Sequence, residues 1–286
     1  AHYDVIGVVT QPDKRKGRGK AMACPPVKET ALKHNISVYQ PVKVREEAFV
    51  ETLKELEPDV IVVVAFGQIL PESILNIPKY GCINVHASLL PKYRGAAPIQ
   101  WAVINGEKET GITTMYMAKG LDTGDMIDKI VIPVEPKETG ETLHDKLSAA
   151  GGKLILETLA KLEAGTAVRI PQNDAESSYA GMLTKELGEI DWTKSAAAIE
   201  RLIRGLNSWP SAYTHMNGKT LKIWDADVDA DPTNGQTAVP GTVTDVKKDC
   251  FYVQTGDGQL KVNEVQLQGK KRMPVQAFLL GYPVKK

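Results

Sequence analysis

Cysteine is scarce in this 286-residue chain: Cys24, Cys82 and Cys250 lie far apart, show no C-x-x-C spacing and leave an odd one, so neither a disulfide framework nor a zinc site is expected. No run of about 18 apolar residues is present, which excludes a bilayer-spanning helix. The opening residues AHYDVIGVVT lack the basic start and apolar stretch of a signal peptide, which predicts a cytoplasmic protein. Net charge is also missing, with 35 basic residues against 35 acidic ones; coating of nucleic acid or membrane by bulk electrostatics is therefore excluded, although local patches are not. Also absent are the serine elbow, the Walker loop, a metal-ligand cluster and the dinucleotide glycine pattern, so those enzyme classes lack their signatures.

What remains is an ordinary soluble composition, 42% hydrophobic and 24% charged, enough for two domains. The first two-thirds alternate short apolar runs with helical patterns. DVIGVV at 4–9 and VIVVVA at 60–65 are β-branched runs suited to parallel strands covered on both faces. PPVKETALKHN and VREEAFVETLKELEPD between them read as helices, the second stopped by Pro58. CINVH is a third strand, followed by a turn and a helix from about Ala97 to Asn105; TGITTMYM and MIDKIVIPV are strands, and ETLHDKLSAAGGKLILETLAKLEAG is a long helix. This alternation predicts an α/β fold with a mostly parallel, doubly wound, Rossmann-like sheet. After a helical stretch that includes SAAAIERLIRGLN, strands flank Asn217-Gly218 and Gly256-Asp257-Gly258. These hairpin signals predict a small C-terminal β-barrel. The boundaries drawn are 1–180 for the first domain, 181–206 for a linker and 207–286 for the β-rich domain.

Ligands of open α/β sheets gather at the carboxyl ends of strands, where Asn84 and His86 fall. Spaced by two, they share a face. An amide donor beside an imidazole suits stabilisation of an oxyanion. GLDTGDM at 120–126 offers Asp122 and Asp125 in a glycine-bracketed loop, and either could orient the imidazole and fix its tautomer. Two basic runs stand out: PDKRKGRGK carries Lys14, Arg15, Lys16, Arg18 and Lys20, and GKKRM carries Lys270, Lys271 and Arg272. Such runs are ordinarily solvated loops, but glycines among five cations suit a chain that follows a phosphate backbone. Trp224 and Tyr252, both in strand-like runs, are expected to pack in the core rather than to stack on bases.

The run NVHASLLPKYRGAAPIQWAVINGEKETGITTMYMAKGLDTGDM closely resembles the folate-dependent formyltransferases, and the likeness extends over almost the whole chain. The resemblance implies Asn84, His86 and Asp122 as the catalytic set, Asp122 rather than Asp125 because the first aspartate of the matching loop is the catalytic one. It implies Ser88, Leu89, Leu90 and Pro91 in the tetrahydrofolate site, and Phe66, Gly67, Ile69 and Leu70 of AFGQILP lining its pterin pocket. The basic loop resembles one that the family uses on the tRNA acceptor arm, the IDWTKSAAAIERLIRGLNSWPSAY stretch resembles its interdomain segment, and the β-rich remainder resembles its oligonucleotide-fold-like (OB-like), tRNA-binding domain; glycinamide ribonucleotide formyltransferases lack that domain. The implied activity is transfer of a formyl group from 10-formyltetrahydrofolate to the α-amine of methionyl initiator tRNA, without a metal, by a monomer. The alternatives carried are a folate-dependent sugar-nucleotide formyltransferase and an inactive RNA-binding fragment. The resemblance further implies an upstream βα unit of about thirty residues ahead of Ala1.

If the first basic run holds phosphate, Arg18→Ala weakens tRNA binding and lowers the slope of log affinity against log salt by about one. A binding titration across salt concentrations checks this, and an unchanged slope returns the run to a solvated loop.

Overall fold

The computed structural model describes residues 3–16, 21–229 and 238–285. The first half of the chain forms β1 (Val8–Val9), β2 (Lys14–Lys16), β3 (Ala21–Ala23), α1 (Pro26–Lys33), β4 (Val38–Tyr39), α2 (Glu47–Glu55), β5 (Ile61–Val63), α3 (Glu72–Leu75) and β6 (Cys82–His86). There follow β7 (Arg94–Gly95), α4 (Pro98–Ile104), β8 (Glu109–Tyr116), β9 (Met126–Pro133) and α5 (Gly140–Glu163). The remainder forms β10 (Tyr179–Ala180), α6 (Ala196–Gly205), β11 (Ala212–Met216), β12 (Lys219–Val228), β13 (Val243–Val246), β14 (Phe251–Gln254), β15 (Gln259–Leu267), β16 (Met273–Pro274) and α7 (Val275–Gly281). Two compact units result, one of Ala1–His86, Thr113–Asp128 and Leu154–Gln172, the other of Ala87–Ile112, Lys129–Lys153 and Asn173–Lys286. No helix among the described residues is long and apolar enough to cross a membrane.

In the first unit, β1 pairs in parallel with β4, and a second sheet has the order β5-β6-β8-β9. β5 runs parallel to β6, with Val63 opposite Asn84. β8 runs antiparallel to β6, with Met115 opposite Asn84 and Thr113 opposite His86. Side-chain alternation gives β6 two faces. Cys82 packs with Val44, Val50, Leu53, Leu70 and Ile74, while Ile83 packs with Ile127 and Leu162 on the opposite face. α2 supplies Val50 and Leu53 from one stripe; its continuation ends where Glu57 takes a left-handed φ of 46° and Pro58 removes a donor. A polar thread fixes the last turns of α5 to the sheet: Thr158 Oγ1 lies 2.8 Å from Thr114 Oγ1 and donates to Asp128 Oδ2 at 2.8 Å, and Lys161 pairs with Asp128.

Two strands are shorter than their apolar runs. The β1 ladder covers only Val8 and Val9, because β4 offers two residues for pairing. β5 lies at the edge of its sheet, and Val62 and Val64, which alternate with the half-buried Ile61 and Val63, leave one face exposed where both were expected to be covered.

The second unit contains an antiparallel sheet of order β11-β12-β15-β14-β13, with β16 added beside β15. Asn217 and Gly218 both have positive φ, 50° and 74°, and Met216 pairs with Lys219 across them. This is a two-residue hairpin built on a turn that favours Asn-Gly. α6 opens with the Ser195 hydroxyl accepting from the Ala198 amide and places Ile199 and Ile203 on a core with Leu221, Ile223, Leu260, Val262, Val265, Val275 and Phe278.

Leu260 sits at the centre of that core with no exposure. Leu260→Ala is expected to destabilise the protein by about 2–5 kcal/mol, read as an earlier denaturant midpoint in the fluorescence of the neighbouring tryptophans.

Candidate active site

Asn84 and His86 end β6 on the same face, beyond the apolar Cys82. His86 is buried. The connection from β8 to β9 lies against the strand. Tyr116 donates its amide N–H to Asp125 O at 2.9 Å, and Gly124 comes so close to β8 that a Cβ there would stand 1.8 Å from Tyr116 O. Only a residue without a side chain allows that approach. Asp122 adopts φ 51°, a conformation unusual for a residue with a Cβ. Its carboxylate thereby faces both strand residues: Asn84 Nδ2 donates to Oδ1 at 3.4 Å, and Oδ2 lies 3.7 Å from His86 Nδ1.

The two aspartates of the loop have different surroundings. Asp125 pairs with Arg169 at 3.4 Å, and the Arg169 guanidinium stacks 3.7 Å from the centroid of the Tyr116 ring. Asp122 is the one beside the imidazole. The segment that includes Arg169 is brought to the loop by a two-way backbone bridge between Met126 and Ile170, both bonds 2.9 Å. Two residues later, Gln172 Nε2 donates to Asp122 O and to Gly124 O, each at 2.8 Å. Neither Arg169 nor Gln172 was singled out from the sequence. The only cue is an apolar-polar alternation, AVRI, ahead of Pro171, and it gives no register.

The stretch 65–71 follows β5 and leaves the sheet at the same end as His86, since Val63 lies opposite Asn84. Phe66 is partly buried against the Leu53 and Ile74 core, where Leu70 also packs; its carbonyl accepts from Gln11 Nε2 at 3.0 Å. Gly67 has φ 78° and open space where a Cβ would stand, and Ile69 is 85% exposed. In the second unit, Ser88 is buried and donates to Lys92 O at 2.6 Å. Leu90 is buried, and its carbonyl accepts from Lys129 Nζ at 2.5 Å. Burial lowers the proton affinity of Lys129, and Glu176 opposes that effect. A cis peptide joins Leu90 to Pro91, and Leu89 packs where a Cβ on Gly111 would fall.

Of the first basic run, Lys14, Arg15 and Lys16 form β2, paired with β3; Arg18 and Lys20 lie outside the described residues. Lys270 and Lys271 are exposed. Arg272 pairs with Glu264 and lies 4.8 Å from the Trp224 ring centroid, with Lys222 Nζ at 5.7 Å. Trp224 is thus half-buried beneath cations, its indole N–H donating to Gln266 Oε1 at 3.2 Å. Tyr252 has Lys247 Nζ 5.2 Å from its ring centroid. All three cysteines are free, and burial pushes the Cys82 thiol up to about 12. Among the described residues no three His, Cys, Asp or Glu side chains gather as a metal site would require.

Residues 1–159 match the formyl transferase family, and residues 182–283 match the formyl transferase C-terminal domain. A methionyl-tRNA formyltransferase of Agathobacter rectalis is 60% identical over 281 residues, covering 98% of this chain and 90% of its own. That of Lachnospira eligens is 56% identical over 283 residues, with the same coverage of 98% and 90%. In fold, the chain is similar to HypX from Aquifex aeolicus, solved in complex with tetrahydrofolic acid: TM-score 0.63 and 20% identity over 88% of this chain. The chain spans 43% of that larger protein. On these matches the chain belongs to the formyl transferase family, among its methionyl-tRNA formyltransferases.

Proposed function

We propose that this chain transfers the formyl group of 10-formyltetrahydrofolate to the α-amine of methionine esterified to initiator tRNA, with Asn84, His86 and Asp122 as its catalytic residues. The observation that carries the reading is the convergence of an amide, an imidazole and a carboxylate at the end of β6, in a chain whose relatives are methionyl-tRNA formyltransferases. The folate supplies the formyl group and, at N10, the nitrogen that leaves. Two features past the end of β5 suit an apolar ring: Gly67 has open space where a Cβ would stand, and Ile69 presents an uncovered apolar side chain. Phe66, Gly67, Ile69 and Leu70 are the residues proposed for the pterin ring; Ser88, Leu89, Leu90 and Pro91 are likewise proposed as folate-binding.

Each residue has a distinct task. The Asn84 amide has two N–H groups, so one can hold Asp122 while the other points at the formyl oxygen. His86, as an imidazolium, donates to the same oxygen while negative charge builds there, and each placed donor is worth about 3 kcal/mol. Asp122 orients the imidazole and accepts a proton from the attacking amine, directly or through water, so that it can be passed to the leaving nitrogen. The methionyl-tRNA binds through local cations, Lys14, Arg15, Lys16, Arg18 and Lys20 in one run and Lys270, Lys271 and Arg272 in the other. In this reading residues 1–180 form the catalytic domain, 181–206 a linker and 207–286 an OB-like domain that holds tRNA. The protein works as a cytoplasmic monomer.

His86→Ala and Asp122→Asn are each expected to slow single-turnover formyl transfer by about 100-fold or more, with tRNA affinity changed by no more than about twofold. A near-normal rate in either variant would overturn the assignment, and formylation of a UDP-amino sugar in place of the tRNA would favour the sugar-nucleotide alternative.

A further inference from the structure

We infer that Gln172 is a positioning residue for formyl transfer, acting through Asp122; the inference rests on the catalytic reading above. Asp122 reaches His86 only because its backbone is held at φ 51°, a conformation that a residue with a Cβ leaves readily when nothing holds it. Its side-chain contacts with Asn84 and His86 are long, 3.4 and 3.7 Å, so a hold on the backbone adds to them.

The restraint comes from Gln172. One amide nitrogen carries two N–H donors, and they meet the carbonyl oxygen of the aspartate itself and that of Gly124 two residues on, at 2.8 Å each. A single nitrogen thus ties down the peptide plane that follows Asp122, one of the two that flank its Cα, and the plane that follows Gly124, and so holds the turn that carries the carboxylate. Met115 Sδ, opposite Asn84 in the sheet, lies 3.9 Å from the same nitrogen, so the amide is seated between the loop and β8. Gln172 is itself placed by the backbone bridge between Met126 and Ile170.

The test is a double-mutant cycle on the full-length enzyme, using the single-turnover rate at saturating folate and methionyl-tRNA. Gln172→Met keeps the length and volume of the side chain and removes both donors. Loosening Asp122 by this route is expected to lower the rate by about 10- to 100-fold, with the affinities for both substrates within about twofold of wild type. In an Asp122→Asn background the same substitution is expected to change the residual rate by less than about twofold, because there is no carboxylate left to position. An undiminished rate in Gln172→Met, or an equal loss in both backgrounds, would overturn the inference. If Asp122→Asn alone proved as fast as wild type, the catalytic reading would fall instead. Should Gln172→Met melt below the assay temperature, Gln172→Asn, which draws the amide back by one methylene, takes its place with the same two outcomes.

Discussion

Asp122 stands with one carboxylate oxygen 3.4 Å from the Asn84 amide nitrogen and the other 3.7 Å from His86 Nδ1, and the arrangement of the first unit serves to keep it there. A histidine only 6% exposed needs a defined polar neighbour, because an unmet buried donor costs about 1–3 kcal/mol. Asp122 is such a neighbour, its Oδ2 3.7 Å from Nδ1. β6 offers alternate positions to the core, Cys82 on one face and Ile83 on the other, and its polar residues, Asn84 and His86, follow Cys82 on the same face. Asp122 arrives on a loop, and a loop has freedom that catalysis cannot use.

That freedom is removed at both ends. β8 is held to β6 by the ladder from Ile83 to His86. The start of β9 is held by Asp128, which takes bonds from Thr158 and Lys161 of α5. Between these anchors Gly124 lies against Tyr116 O, and Arg169 pairs with Asp125 while covering the Tyr116 ring. The second aspartate of the loop therefore carries a structural load, and the first is left facing the imidazole. Charge sets them apart as well: a guanidinium pairs with Asp125, whereas Asp122 stands beside the Asn84 amide and the His86 imidazole.

Much of this framework is legible in the sequence. The spacing of Asn84 and His86 gives their common face, Asn217-Gly218 gives its hairpin, and Pro58 gives the stop after α2, because each is a local preference of the backbone. The choice between Asp122 and Asp125 is not local. It depends on Arg169 and Gln172, which lie 44 and 50 residues away from their loop partners and are brought there by the Met126 and Ile170 bridge; no periodicity encodes such a pairing. Coverage of a strand is equally invisible. VIVVVA reads as a buried run, yet β5 is an edge strand with Val62 and Val64 exposed, because burial is decided by neighbours and not by the run itself. Trp224 shows the converse, a residue expected in the core that sits half-buried beneath Arg272 and Lys222.

The basic runs show why counting charges is a poor guide to a charged partner. The chain is neutral overall, so attraction to a polyanion has to come from cations not already matched. Arg272 is paired with Glu264 and stacked on Trp224, and a phosphate would have to compete with a carboxylate for its guanidinium. Lys270 and Lys271, exposed on the turn beside it, keep their charge for solvent and for whatever approaches. An exposed ion pair is worth only about 0–1 kcal/mol, so the competition can be won, but each such exchange returns less than a phosphate bound to an unmatched lysine. Within GKKRM the lysines are therefore the stronger candidates for phosphate, and the arginine, fixed to β12 and β15, is the residue that holds the turn in shape.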